Sequence, residues 1–237
     1  MHYRWEALAG GVHRCRLPFL DVSVGLVLGP DAVLLIDCGT TLSEAQRLAD
    51  DIGELAGRPV SDIVLTHHHF DHILGSAGFP DARLHGAAPV TAALTSGVDA
   101  VREHALGYGA EPDEVDRTIA RVRAPDHVVS NTVISLGDRE VRVVHPGRGH
   151  TDHDLAVIVP PRNPGEPPVV FCGDLIEESA DPAVDAGSDL AAWPVTVDRL
   201  LTLGGPTAVY VPGHGAVVDA DFVVEQRDWL RRSATQH

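Results

Sequence analysis

The stretch THHHFDH, residues 66–72, places four histidines and one aspartate within seven residues, directly after the apolar run VSDIVL. Imidazole is the commonest protein metal ligand and the usual proton carrier near neutral pH, and an adjacent carboxylate suits a hard or borderline cation. The cluster is internal and is interrupted by Phe70 and Asp71, which argues against a histidine tag. Three further places carry a metal-type residue just after a strand-like run: His150 in PGRGHTDHD, Asp174 in VVFCGDLI and His214 in VYVPGHGA. Glycines accompany these three, as expected where the backbone must turn sharply to bring a short side chain to a fixed point. Each alone reads more often as a capping or hydrogen-bonded residue. Together, each at the end of a strand, they point to a metal centre.

The elements that must position these residues alternate between strands and helices. VSVGLVL (22–28) and AVLLI (32–36) read as two strands around a GPD turn, ending at DCGTT. Residues 43–56 read as a helix with Ser43 as N-cap and Leu48, Ile52 and Leu55 along one face. VSDIVL is a buried strand leading into the histidines, and ARLHG a further short strand before a helix at 89–94. Strands are expected at 128–136, 140–144, 155–159, 168–172 and at AVYV, with helices at 194–203 and 220–232. This order predicts one domain over residues 1–237, an α/β four-layer αββα sandwich of two mixed sheets flanked by helices, with the chemistry where strands run into loops. Residues 98–123 fit the repeated pattern least. They read as helical with a break at GYG, a helical insertion placed as a lid, with His104 and Tyr108 on one face beside Val101 and Ala105.

Composition narrows the function. Hydrophobic residues make up 44% of the 237, ample for a core. Lys+Arg of 18 against Asp+Glu of 34 gives a net charge of −16, which disfavours nucleic acid, because phosphate binding needs basic residues to displace counterions. Cys15, Cys38 and Cys172 form neither a CxxC pair nor a disulfide framework, which fits a reducing cytoplasm. No signal-peptide core and no window of about 18 apolar residues is visible, so no membrane association is expected. The oligomeric state is not legible.

In its motifs the chain resembles the metallo-β-lactamase fold superfamily, whose HxHxDH motif is matched by His67, His69, Asp71 and His72 and whose later histidine, bridging aspartate and last histidine fall on His150, Asp174 and His214. Asp37 in LLIDCGT matches the aspartate after the family's early strands, implying a hydrogen-bond acceptor behind the ligands. Glyoxalase II is similar at the same ligand set, but it carries a basic helical C-terminal domain, whereas only 215–237 follow His214 here. The resemblance implies two divalent ions, zinc first with iron or manganese as alternatives. One would be held by His67, His69 and His150 and the other by Asp71, His72 and His214, with Asp174 joining them. Treating the motif as extended chain, His67, His69 and Asp71 project to one side and His72 to the other. A hydroxide bridging the ions, oriented by Asp71, would then attack a carbonyl carbon.

The remaining polar residues read more blandly. His68 and Phe70 alternate away from the metals. His153 and Asp154 lie outside the family pattern, and His85, His127 and His145 lack a motif. In one group of the family's β-lactamases a cysteine stands where Asp174 stands here, which makes Cys172 an ordinary buried thiol. Glu177 and Glu178 are assigned to a solvated loop. The leading reading is a binuclear metallohydrolase of a small-molecule ester, thioester, lactone or amide. The alternatives are a mononuclear iron dioxygenase of the same fold and a non-catalytic zinc-binding module.

Overall fold

The computed structural model describes residues 1–235. The first sheet runs in spatial order β1 (Glu6–Ala9), β2 (Val12–Arg16), β3 (Ser23–Leu28), β4 (Val33–Ile36), β5 (Asp62–Val64), β6 (Arg83–Gly86) and β7 (His127–Val128). It is antiparallel from β1 to β4 and parallel from β4 to β7. The second sheet is ordered β12 (Val209–Val211), β11 (Val169–Phe171), β10 (Ala156–Val159), β9 (Glu140–Val144), β8 (Asn131–Ser135), with only β11 and β12 parallel. Both sheets are therefore mixed.

Alternation along the strands builds the layers. Leu34 and Ile36 of β4 face a core between the sheets, where they meet Val143, Val157, Val169 and Phe171 of the second sheet. Val33 and Leu35 point the other way, toward α1 (Leu42–Ala56), α2 (Phe70–Ile73), α3 (Ala88–Ala93), α4 (Val98–Gly107) and α5 (Pro112–Ile119). Ala156, Ile158 and Val170 face α6 (Trp193–Gly204) and α7 (Ala220–Ala234) on the opposite flank. The central strands are buried on both faces, so they read as near-continuous apolar runs. The result is helix, sheet, sheet, helix.

Several elements differ from expectation. β1 and β2 were not anticipated, because EALA and VHRCR are short and mixed in polarity; they form the edge of the first sheet. The expected strand 128–136 is two strands in different sheets, β7 in the first and β8 in the second, so the chain crosses between sheets at Val129 and Ser130. α1 starts one residue earlier than expected and is capped by Thr41, not Ser43. Thr41 Oγ1 accepts from Glu44 N at 3.1 Å while Glu44 Oε2 accepts from Thr41 N at 3.1 Å. This reciprocal pair satisfies two donors that the helix cannot pair internally. Gly57 at φ 67 ends the helix in the left-handed region. Residues 98–123 form two helices, α4 and α5, broken at GYG.

A candidate metal centre at the strand ends

The parallel strands β4 and β5, and β11 and β12 in the other sheet, deliver Asp37, His67, Asp174 and His214 just beyond their carboxyl ends. His150 arrives on the loop joining β9 to β10. His69 ends the extended stretch as the residue preceding α2, and Asp71 and His72 lie on α2 itself. This corrects the extended-chain reading of the motif. A helical turn places Asp71 and His72 side by side, and Asp71 joins His72 and His214 instead of His67 and His69.

Two groups of inward-facing donors result, one of His67, His69, His150 and Asp174, the other of Asp71, His72 and His214; ligand atoms within each lie inside 4.8 Å of one another. Asp174 reaches both. Its Oδ2 is 3.5 Å from His67 Nε2, 3.4 Å from His150 Nε2 and 3.4 Å from His214 Nε2, and its Oδ1 is 3.2 Å from His72 Nε2. His214 Nε2 is 3.4 Å from Asp71 Oδ2. Tetrahedral zinc with ligands at about 2 Å sets its donors roughly 3.3 Å apart, the spacing found here.

The outer nitrogens of the imidazoles are committed to acceptors. His72 Nδ1 donates to Asp37 Oδ2 at 2.8 Å, His214 Nδ1 to the Leu20 carbonyl at 2.7 Å and His150 Nδ1 to the Ala183 carbonyl at 3.1 Å. Thr66 Oγ1 gives its proton to Asp37 Oδ2 at 2.8 Å, so it accepts from His67 Nδ1 at 3.0 Å. Four rings thereby turn Nε2 inward, free to take a proton or a metal ion. The Nε2 atoms of His72 and His214 face each other at 3.3 Å, a contact that a proton on one ring or a metal ion held by both would satisfy. Among the described residues, His67 Nε2 and Asp174 Oδ1 are buried without any hydrogen-bond partner. A buried polar atom left unpaired calls for a partner, and at these two atoms, set among imidazoles, a metal ion meets that demand. The residues therefore fit bound metal.

Electrostatics point the same way. Burial pulls His72 down, but Asp174, Asp71 and Asp37 outweigh it and hold the ring well above its ordinary value. Burial opposes protonation of His214 too, yet Asp174 lifts it to about 10. Burial would raise Asp174, but His72 and His214 with the other histidines hold it well below the carboxylate range. Burial and then the charge of His150 press His69 down to about 2. The carboxylate side of the centre thus binds positive charge, while the His67 and His69 side presents neutral nitrogen ligands.

Two backbone features make the geometry attainable. Asp37 sits at φ 56 and Leu20 at φ 55, left-handed conformations that a side chain rarely adopts. The hydrogen bonds to His72 and from His214 hold them there. Gly213 lies so close to Asp174 that a Cβ would stand 1.9 Å from Oδ1.

Other expected residues fall as follows. His68 is half-buried, its Nδ1 3.1 Å from His153 Nε2, and is absent from both donor groups. Asp154 accepts from Thr151 N at 2.8 Å and shapes the loop that carries His150. Cys172 is fully buried, and burial pushes its thiol up. His104 and Tyr108 do line the cavity over the centre, their rings 5.2 Å apart and 5.2 and 5.7 Å from Phe70. Glu177 corrects the solvated-loop expectation: it is buried, it lines the same cavity, and it forms a third donor group with Asp174 and His214. Burial and then Asp174 push it up to about 7. Its signal in the sequence was only its position three residues after Asp174.

A family model described as the metallo-beta-lactamase superfamily matches residues 17–214. The chain belongs to that superfamily. It is 25% identical over 214 residues to the metallo-beta-lactamase type 2 of Bacillus cereus, covering 88% of this chain and 73% of that protein. The corresponding figure for Bacillus sp. (strain 170) is 24%, with the same coverage. Among solved structures, a metallo-beta-lactamase from Pontibacter korlensis superposes with TM-score 0.72 at 21% identity, covering 97% of this chain and 99% of that one. FIM-1 from Pseudomonas aeruginosa superposes at 0.72 and 17% identity, covering 98% and 96%. These likenesses show the fold. Among the described residues, no helix is long and apolar enough to cross a membrane.

Proposed function

We propose that the chain is a metal-dependent hydrolase of a small carbonyl compound, an ester, thioester, lactone or amide, working with two divalent ions, zinc in the first instance. The observation that carries this reading is the pair of donor groups joined by one carboxylate, with His67 Nε2 and Asp174 Oδ1 buried and unpaired. His67, His69 and His150 would hold one ion, Asp71, His72 and His214 the other, and Asp174 would bridge. Bound there, the ions supply a water acidified toward neutrality and a Lewis acid for the carbonyl oxygen. The chain's own part is orientation. Asp37, Thr66, Leu20 and Ala183 fix the imidazoles, and Asp71, which lines the cavity, would orient the attacking water as well as bind metal. Phe70, His104 and Tyr108 wall the cavity, and α4 serves as a lid over an acyl group.

The related Bacillus proteins are named as β-lactamases, which makes β-lactams candidate substrates. The cavity lining favours other carbonyl compounds, since Glu177, Asp181 and Asp185 join it and no arginine or lysine does. Turnover of a panel of esters, thioesters, lactones and β-lactams by zinc-loaded protein, before and after chelation, tests the reading. Chelator-sensitive hydrolysis is expected, lowered by several orders of magnitude in Asp71→Asn and little changed in His68→Ala. Inactivity across the panel, or full activity in Asp71→Asn, would sink it. Oxygen consumption with iron-loaded protein would favour the dioxygenase.

A further inference from the structure

The cavity over the candidate metal centre has a volume of about 390 Å³, and its walls differ in kind. One side is aromatic, from Phe70, His104 and Tyr108. The other is the segment after Asp174, which contributes Glu177, Asp181 and Asp185. A neighbouring cavity of about 440 Å³ shares His69, Phe70, His104 and Asp185. All 18 basic residues of the chain are arginine, and none lines either cavity. The arginines nearest in sequence to the lining residues are engaged elsewhere: Arg102 pairs with Asp116, and Arg148 with Asp189 at 3.4 Å.

Asp181 and Asp185 stand outside the donor groups, while Glu177 borders them beside Asp174 and His214. Glu177 is only 6% exposed, and among the described residues its side chain makes one hydrogen bond, accepted by Oε1 from Ser179 Oγ at 3.0 Å. A buried carboxylate on a cavity wall with an unshared oxygen is costly unless a cation or donor meets it. Asp185 is oriented by its own turn, its Oδ1 accepting from Gly187 N at 2.7 Å, while Oδ2 lies 3.6 Å from His69 Nε2. With Asp71 and Asp174, five carboxylates surround one cavity, so even two divalent ions would leave it with no excess of positive charge to attract an anion. Lining the same cavity, Tyr108 stands 57% exposed with its ring against His104 and Phe70. Aromatic faces and carboxylates together are the surroundings that hold an alkylammonium group.

We propose that this cavity selects acyl substrates that carry an ammonium group, seated between the aromatic wall of Phe70, His104 and Tyr108 and the carboxylates of Glu177, Asp181 and Asp185, and that it discriminates against substrates carrying a carboxylate. The inference rests on the hydrolytic reading only for the acyl part of the ligand. It explains why acidic and aromatic residues line one cavity that holds no arginine.

The test uses uncleavable ligands, so that it reads the cavity whether or not an ester is turned over. Zinc-loaded protein is titrated calorimetrically with 2-butoxyethyltrimethylammonium, with its neutral isostere 1-butoxy-3,3-dimethylbutane, and with 3-butoxypropanoate. The cation is expected to bind about fivefold or more tighter than the neutral ether, and the propanoate weakest. In the double variant Asp181→Asn/Asp185→Asn the ratio of cation to neutral ether should fall below about twofold. A smaller ratio in the wild type, a larger one in the double variant, or tightest binding of the propanoate overturns the proposal. Hydrolysis of plain esters without cation preference would overturn it while leaving the hydrolytic reading intact.

Discussion

Asp37 Oδ2 lies 2.8 Å from His72 Nδ1, and the same oxygen accepts from Thr66 Oγ1, which in turn accepts from His67 Nδ1. One carboxylate behind the centre therefore sets the tautomer of a histidine in each donor group. Asp37→Asn tests this with little backbone penalty, because asparagine tolerates the left-handed conformation at φ 56 better than other residues. Asp37 Oδ1 also accepts from Thr66 N at 2.8 Å, and an amide cannot accept at both of its ends. Zinc affinity, measured by chelator competition, is expected to fall about 10- to 100-fold. Unchanged affinity would remove Asp37 from the centre.

Gly213 is the second control on geometry. Alanine there would set its Cβ 1.9 Å from Asp174 Oδ1, so the carboxylate must move. Since Asp174 reaches both donor groups, Gly213→Ala should weaken both ions and reduce turnover by about two orders of magnitude. Far-UV circular dichroism should remain that of the wild type. Full zinc occupancy with normal turnover would show that Asp174 need not stand where it does.

Tyr108 caps α4, donating from its N–H to the His104 carbonyl at 3.3 Å, and its ring lines the cavity. It belongs to neither donor group. Tyr108→Ala is therefore expected to change KM or the ranking of acyl substrates several-fold while zinc content stays constant. Unchanged kinetics across several acyl lengths would make α4 scaffold only.

The seven inward-facing residues were legible because each follows a recognisable apolar strand, and their order along the chain carries the family pattern. What was not legible depends on three-dimensional context. The short helix α2 is invisible to a two-residue alternation, so the partition of Asp71 came from the family pattern and not from its geometry. The split of 128–136 into β7 and β8 is hidden because both strands are short and nothing in VVSN announces a change of sheet. Glu177 looked like solvent-facing charge, since only the fold shows that the chain after Asp174 turns back against His214. Arg14, on the unanticipated β2, is buried for a similar reason: its partners are Glu6 at 2.9 Å on the adjacent strand and the Gly215 carbonyl at 2.8 Å, about 200 residues away.

Away from the centre, Asp62 gives a pH-dependent contribution to stability. It is buried at the start of β5, where Arg83 and His85 meet it at 2.7 to 2.9 Å. Burial would raise its carboxyl, but hydrogen bonds from His85, Arg83 and Ser61 hold it at about 2. The folded value lies below the unfolded one, near 4, so the stabilisation is present above about pH 4 and is lost as pH falls toward 2. It amounts to about 2 kcal/mol. The stability gap between wild type and Asp62→Asn, read from urea unfolding, should therefore narrow over that window. A gap independent of pH would contradict the assignment.

The central claim is that two donor groups sharing Asp174 hold a pair of metal ions. Elemental analysis of purified protein, with zinc or manganese supplied and excess removed, measures this directly. About two divalent ions per chain are expected, falling to about one in His214→Ala. A wild-type value of one that does not rise on addition of metal would contradict the paired centre.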